Sequence, residues 1–413
     1  MKFYFPDSQD MISPTYDFVH DEYSPYRVRQ RDDQYAHEAL TPRPYDGILV
    51  SKAIVDGSVR GAGKYTAAQR ERLYRLGVRT FFRLPDGVAT LGDCGAFNYA
   101  DEYEPPYTVD EVLDFYERCG FDAGVSVDHV VFQYDAARTE ATADPDWVRR
   151  RQVSLRYAED FLRAGKRRGS RVQPVGAAQG WSPESYADSV LQLHQMGYER
   201  IALGGMVPLK SPDIIACLEA IAALDIDRPQ LHLLGITRVR DMARFAELGV
   251  TSFDSTAPFR QAFMDDRDNY QTADTTYVAV RVPQVDANVA LKRRVLAGHV
   301  AQREAIAAEQ QCLKLLRSYD RGDADLDTVL GALGDYEEVL GVKKSYLGDY
   351  ARTLGDRPWA ACPCSLCAEH GVELVIFRGT ERNKRRGFHN LAVFAERVHQ
   401  LGLSAVTSRS SRG

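Results

Sequence analysis

Short apolar, β-branched runs alternate with segments of helical spacing across most of this chain, and that alternation restricts the fold more than any other feature. The runs are Gly47–Val50, Thr80–Leu84, Gly124–Val127, Val172–Ala178, Arg200–Leu203, Leu231–Leu234 and Thr251–Phe253. Between them lie Thr66–Leu76, Val109–Cys119, Pro145–Arg168, Pro183–Met196, Pro212–Leu224 and Val239–Leu248, where apolar residues recur at helical intervals. Ser182-Pro183 and Ser211-Pro212 each offer a cap-like serine and place a proline in a first helical turn. Strands separated by helices pair in parallel, because a parallel neighbour needs a crossover connection. Seven such strands fit an α/β fold of the (β/α)8 barrel type better than a six-stranded open sheet. Val372–Ile376 is the candidate for the eighth strand.

Within 413 residues the sequence predicts an irregular N-terminal extension over 1–44, a barrel core over 45–285, extra helices over 286–358, and a zinc-binding subdomain with a tail over 359–413. A hydrophobic content of 44% with 27% charged residues excludes a disordered chain. No apolar run approaches the roughly 18–20 residues needed to cross a bilayer. The opening Met1-Lys2-Phe3-Tyr4-Phe5-Pro6-Asp7 has no export-signal core, so no membrane partner and a cytoplasmic location are expected. A net charge of −6 counts mildly against coating nucleic acid. Gly61-Ala62-Gly63-Lys64-Tyr65 lacks the glycine spacing and the hydroxyl of a phosphate loop, which excludes nucleotide hydrolysis on that motif.

Three of the seven cysteines, Cys362, Cys364 and Cys367, fall within six residues. Thiols this close, with an imidazole to complete a tetrahedron, suit a structural Zn2+. His389 is the preferred fourth ligand, with His370 and His399 as neighbouring alternatives. Beside it, Arg382-Asn383-Lys384-Arg385-Arg386 reads equally as a solvated surface or as a phosphate contact.

In a barrel, chemistry sits where strands end. Asp93, Asp128, Gln179-Gly180, Gly204-Gly205-Met206, Gly235 and Asp254 all fall at such places. One carboxylate can attack an anomeric carbon while a second moves the leaving group's proton. A third, with the Gln179 amide, can read a purine edge, and the glycines let a ligand approach the main chain.

These motifs resemble those of the tRNA-guanine transglycosylase superfamily, from about Asp46 to His399. Asp93-Cys94-Gly95-Ala96-Phe97-Asn98 is similar to the family's Asp-Ser-Gly-Gly-Phe-Gln loop, which implies that Asp93 is the general acid/base and Phe97 stacks on the base. Asp128 resembles the family's purine-recognising aspartate. Gln179, Gly204, Gly205, Met206, Leu234 and Gly235 resemble the lining of the base pocket, and Asp254 the nucleophile. The resemblance also implies zinc held by Cys362, Cys364, Cys367 and His389. Cys94, Ala96 and Asn98 depart from the motif, and Ser255–Arg260 lacks the basic segment of bacterial tRNA enzymes. The opening decapeptide and Tyr45–Lys52 look instead like the DNA-modifying branch, DpdA. That implies DNA as polymer, a free 7-deazaguanine (preQ0-type) base as second substrate and a partner ATPase. The alternatives are a tRNA-guanine transglycosylase and a non-catalytic zinc-containing nucleic-acid-binding protein.

Overall fold

A computed structural model describes the chain except residues 8, 58–60, 62 and 411–413, and except the side chains of 402–410. Ala62 of the rejected phosphate-loop motif therefore lies outside the described residues. Two compact units emerge. One comprises Met1–Gln9, Tyr45–Thr256 and Arg397–Gly413; the other comprises Asp10–Pro44 and Ala257–Glu396.

The first unit is a closed barrel of eight parallel strands among the described residues: β1 (Lys2–Pro6), β2 (Gly47–Ser51), β3 (Ala89–Asp93), β4 (Ala123–Val125), β5 (Gln173–Ala178), β6 (Arg200–Leu203), β7 (Gln230–Leu233) and β8 (Val250–Asp254). β1 closes the ring by pairing with β2 on one side and β8 on the other. The expected (β/α)8 architecture is present, but two strands lie elsewhere than the sequence suggests. The eighth strand is Lys2–Pro6. Ile376–Phe377 instead pairs with Val280–Arg281 in a separate two-stranded sheet of the second unit. Thr80–Leu84 is no strand, because Thr80 and Phe81 end the helix Ala67–Phe81, and the barrel strand follows at Ala89–Asp93.

Local chemistry accounts for the helix boundaries. Thr108 and Glu111 form a reciprocal capping box at the start of Val109–Cys119, and Gly120, at φ 70°, ends that helix in the left-handed conformation. Asp144 caps Pro145–Arg168 and Ser182 caps Pro183–Met196, each with proline in the first turn. Ser211 is already inside its helix, Ser211–Ala222, rather than its cap.

The barrel interior holds Tyr4, Leu49, Leu91, Ala123, Val125, Val175, Ala177 and Ala202. Outside it, the buried Tyr116 ring lies flat over β3 and β4. A Cβ at Gly92 or at Gly124 would come within 2.3 Å of that ring, so any larger residue at either position must displace it. The Tyr116 hydroxyl donates to the Val125 carbonyl at 2.9 Å. This packing fixes the strand that ends at Asp93 and the strand that leads towards Asp128.

In the second unit the expected helical stretch is present as Val289–Leu296, Gln302–Arg321, Leu326–Leu340 and Leu347–Asp356. The basic run at 382–386 is not a phosphate surface. Arg382, Arg385 and Arg386 are buried. Arg382 pairs with Asp21 and Glu373, Arg385 with Glu381, and Arg378 with Asp21 and Glu309. Among the described residues Arg386 meets no carboxylate, and it donates to the carbonyls of Ala262, Leu374 and Ile376. Burial, aided by Arg281, lowers its pKa to about 9. The acids that neutralise this run lie up to 361 residues away in sequence, which hides its burial from a local reading.

Replacing Gly92 or Gly124 with Ala is expected to cost about 1–3 kcal/mol by overpacking against Tyr116. Denaturant unfolding measures this, and the double change Gly92→Ala with Tyr116→Leu should recover part of the loss.

Candidate active site and metal centre

Six strand ends deliver the candidate residues to one rim. Asp93 and Asp254 are the last residues of β3 and β8; Gln179, Gly204 and Leu234 directly follow β5, β6 and β7; Asp128 lies three residues beyond β4. Parallel register puts Ser51 opposite Asp93, and its hydroxyl donates to the Asp93 carboxylate at 2.7 Å.

Asp128 is the best-supported carboxylate. The Cys94 thiol donates to Oδ1 at 3.1 Å and the Gln179 amide to Oδ2 at 2.6 Å. Gln179 is oriented in turn by the Val131 N–H at its Oε1, 3.1 Å away. Tyr99 donates towards Cys94 Sγ at 3.0 Å and the Asp128 carbonyl at 3.1 Å. Gly204 and Gly205 make room for this network: a Cβ would lie 2.1 Å from the Gln179 amide nitrogen and 2.2 Å from the Val131 carbonyl, respectively. Burial raises the Asp128 pKa, which the Cys94 and Gln179 donors partly oppose. Burial and Asp128 keep the Cys94 thiol protonated.

Asp93 is the titratable group of the rim. Burial first and the Asp128 charge second push it up to about 7; the Ser51 and Gly95 donors oppose this, and Asp254 adds to it. Such a carboxyl can give or take a proton near neutrality.

Asp254 Oδ1 accepts from the Gly235 N–H at 3.1 Å and from His232 Nε2 at 3.1 Å. His232 is a site residue that sequence reasoning missed. It sits inside the apolar run of β7, carries no motif, and only the β7–β8 pairing reveals it, by setting it opposite Ser252.

The remaining candidates are less connected. Phe97, on the single helical turn Ala96–Tyr99, is 69% exposed with its edge against Phe132 at 5.1 Å between centroids. Met206 is fully buried, and Leu234 packs partly on the barrel core.

In the second unit, ligand atoms of Cys362, Cys364, Cys367 and His389 lie within 4.8 Å of one another. His389 Nδ1 is 3.5, 3.5 and 3.3 Å from the three sulfurs in that order. A tetrahedron with Zn–S of about 2.3 Å and Zn–N of about 2.0 Å has S–N edges of about 3.6 Å, so the cluster fits zinc. The Gln271 carbonyl, which can only accept, lies 2.8 Å from His389 Nε2; that nitrogen carries the proton and Nδ1 is left to bind metal. Tyr270 stacks on the imidazole at 4.1 Å, and Asn390 accepts from the Gln271 N–H. His370 accepts from Arg385 instead, and His399 is exposed. With four protein ligands the site would be closed, hence structural.

No family profile matches the chain. It is 47% identical over 404 residues, 96% of each protein, to a DNA-guanine transglycosylase from Salmonella montevideo. A stretch of 114 residues, 27% of this chain and 30% of the other, is 32% identical to a queuine tRNA-ribosyltransferase from Marinobacter nauticus.

Two outcomes follow from this geometry. The folded protein holds the Asp93 proton up to about pH 7, whereas an unfolded chain releases it near pH 4. Stability should therefore fall as pH rises from about 4 to 7 and level off above. Asp93→Asn should raise the melting temperature at pH 8 by about 2–5 °C, read by calorimetry. Elemental analysis should find one zinc per chain, with Cys364→Ser or His389→Ala reducing it below half and lowering the melting temperature.

Proposed function

Because this chain belongs to the tRNA-guanine transglycosylase superfamily and is a guanine transglycosylase, we propose that it exchanges guanine in DNA for a free 7-deazaguanine base of the preQ0 type. The observation that carries this reading is the pairing on one rim of Asp254, held by two N–H groups, with Asp93, whose carboxyl titrates at about 7.

The steps follow from these groups. A guanine stacked in a duplex is out of reach, so it is flipped outward at a cost of about a few kcal/mol. Asp128 and the Gln179 amide present an acceptor and a donor to the purine edge, and the exposed Phe97 ring offers a stacking face. An Asp254 oxygen bonds to C1′ of the deoxyribose as the C1′–N9 bond breaks. The electron pair leaves with guanine, which takes the proton from Asp93. The incoming deazapurine gives its N9 proton to Asp93 and bonds to C1′, and Asp254 departs as a carboxylate.

Zinc held by Cys362, Cys364, Cys367 and His389 would join segments of the second unit and take no part in the exchange. A partner ATPase belongs to the same reading through the resemblance to the DNA branch. Among the described residues no helix is long and apolar enough to cross a membrane.

The partial likeness to a queuine tRNA-ribosyltransferase makes tRNA the second candidate polymer. Labelled 7-deazaguanine offered with duplex DNA or with tRNA decides between them. Label is expected in DNA, with at least a 10³-fold loss in Asp254→Asn. Label in tRNA alone would replace the polymer, and exchange surviving in Asp254→Asn would refute the nucleophile.

A further inference from the structure

His232 is joined to the proposed nucleophile by a short buried chain of hydrogen bonds. It lies at a register irregularity in β7, opposite Ser252, and Ser252 and Asp254 stand two residues apart on β8 and so share a strand face. Ser252 Oγ is 2.9 Å from His232 Nδ1, and His232 Nε2 is 3.1 Å from Asp254 Oδ1. All three residues are buried, and the Tyr4 ring meets the imidazole edge-on at 5.7 Å.

The protonation pattern follows from what each atom can do. An ionised carboxylate only accepts, so the proton shared with Asp254 sits on Nε2. A neutral imidazole then has Nδ1 as an acceptor, which the Ser252 hydroxyl serves as donor. Oδ1 receives two N–H groups, from His232 and Gly235, whereas Oδ2 receives none from the described residues.

We propose that His232 is a positioning residue that selects Oδ2 of Asp254 as the attacking atom and eases the later departure of Asp254; this rests on the reading of Asp254 as nucleophile. When Oδ2 bonds to C1′ and the C1′–N9 bond breaks, Oδ1 becomes the carbonyl oxygen of a glycosyl ester and its negative charge is spent. When the incoming base bonds to C1′, the C1′–Oδ2 bond breaks and the electron pair returns to the carboxylate. The two N–H donors meet that returning charge, so they stabilise the transition state of release more than the ester before it. Ser252 holds the imidazole in the tautomer that donates.

The test is a quenched-flow measurement of base exchange in DNA, with the covalent protein–DNA adduct trapped by denaturation and quantified in the same samples. His232→Phe, checked for folding by its melting temperature, should lower kcat on the order of 10²-fold with KM within about threefold. The fraction of enzyme held as adduct at steady state should rise. His232→Gln, which keeps an N–H donor, should restore kcat to within about tenfold of the parent. Ser252→Ala, a smaller change in the same chain, should lower kcat several-fold and also raise the adduct fraction. An unchanged kcat in His232→Phe, an adduct fraction that falls in step with kcat, or a Gln variant no better than Phe would overturn the proposal. Absence of an Asp254-dependent adduct in the parent protein would instead remove the nucleophile assignment itself, and the role of His232 with it.

Discussion

Closure of the barrel by Lys2–Pro6 is the constraint on which the site depends. Tyr4 lies opposite Gly47 of β2 and Asp254 of β8, so one short strand joins the two ends of the ring. The end of β8 then lies in the same ring as the ends of β3 and β4, close enough for the charges of Asp128 and Asp254 to act on Asp93. An open sheet ending at β8 would leave Asp254 on one edge and Asp93 near the opposite one.

What closure brings together is unfavourable by itself, since three carboxyl groups crowd one rim. The structure resolves the conflict unequally. Asp128 receives a thiol and an amide, Asp254 receives two N–H groups, and Asp93 is left with little more than Ser51. Burial together with the neighbouring charges therefore pushes the cost of ionisation onto Asp93, the group that must move a proton in the proposed exchange. In the proposed exchange the same distribution separates the roles: an acceptor for the base edge, a carboxylate for attack, and an acid poised near neutrality.

Much of this is legible in the amino-acid sequence. The serine and proline at Ser182-Pro183 mark a helix start, and the apolar runs of β5, β6 and β8 end at or just before Gln179, Gly204 and Asp254. The thiol spacing at Cys362–Cys367 points to the group that could hold a metal ion, though the choice among three histidines needs the fold. The misreadings share a cause in long-range packing. Thr80–Leu84 has strand-like residues but completes a helix, and the strand that follows it, Ala89–Asp93, carries in Gly92 a residue that the Tyr116 ring requires. β1 has no crossover helix directly after it to signal a strand. The arginines at 382–386 are silent about burial, since Asp21, which pairs with Arg382, lies far along the chain and Arg386 is held by main-chain carbonyls. His232 is visible only through pairing.

In the proposed exchange a carboxyl held protonated near neutrality drives departure of guanine. The most direct measurement is the pH dependence of the single-turnover rate of covalent adduct formation between this protein and DNA. The rate should be level below about pH 7 and fall about tenfold per unit above it, as Asp93 loses its proton. A rate that rises through pH 7, or one unchanged from pH 6 to 9, would contradict the account.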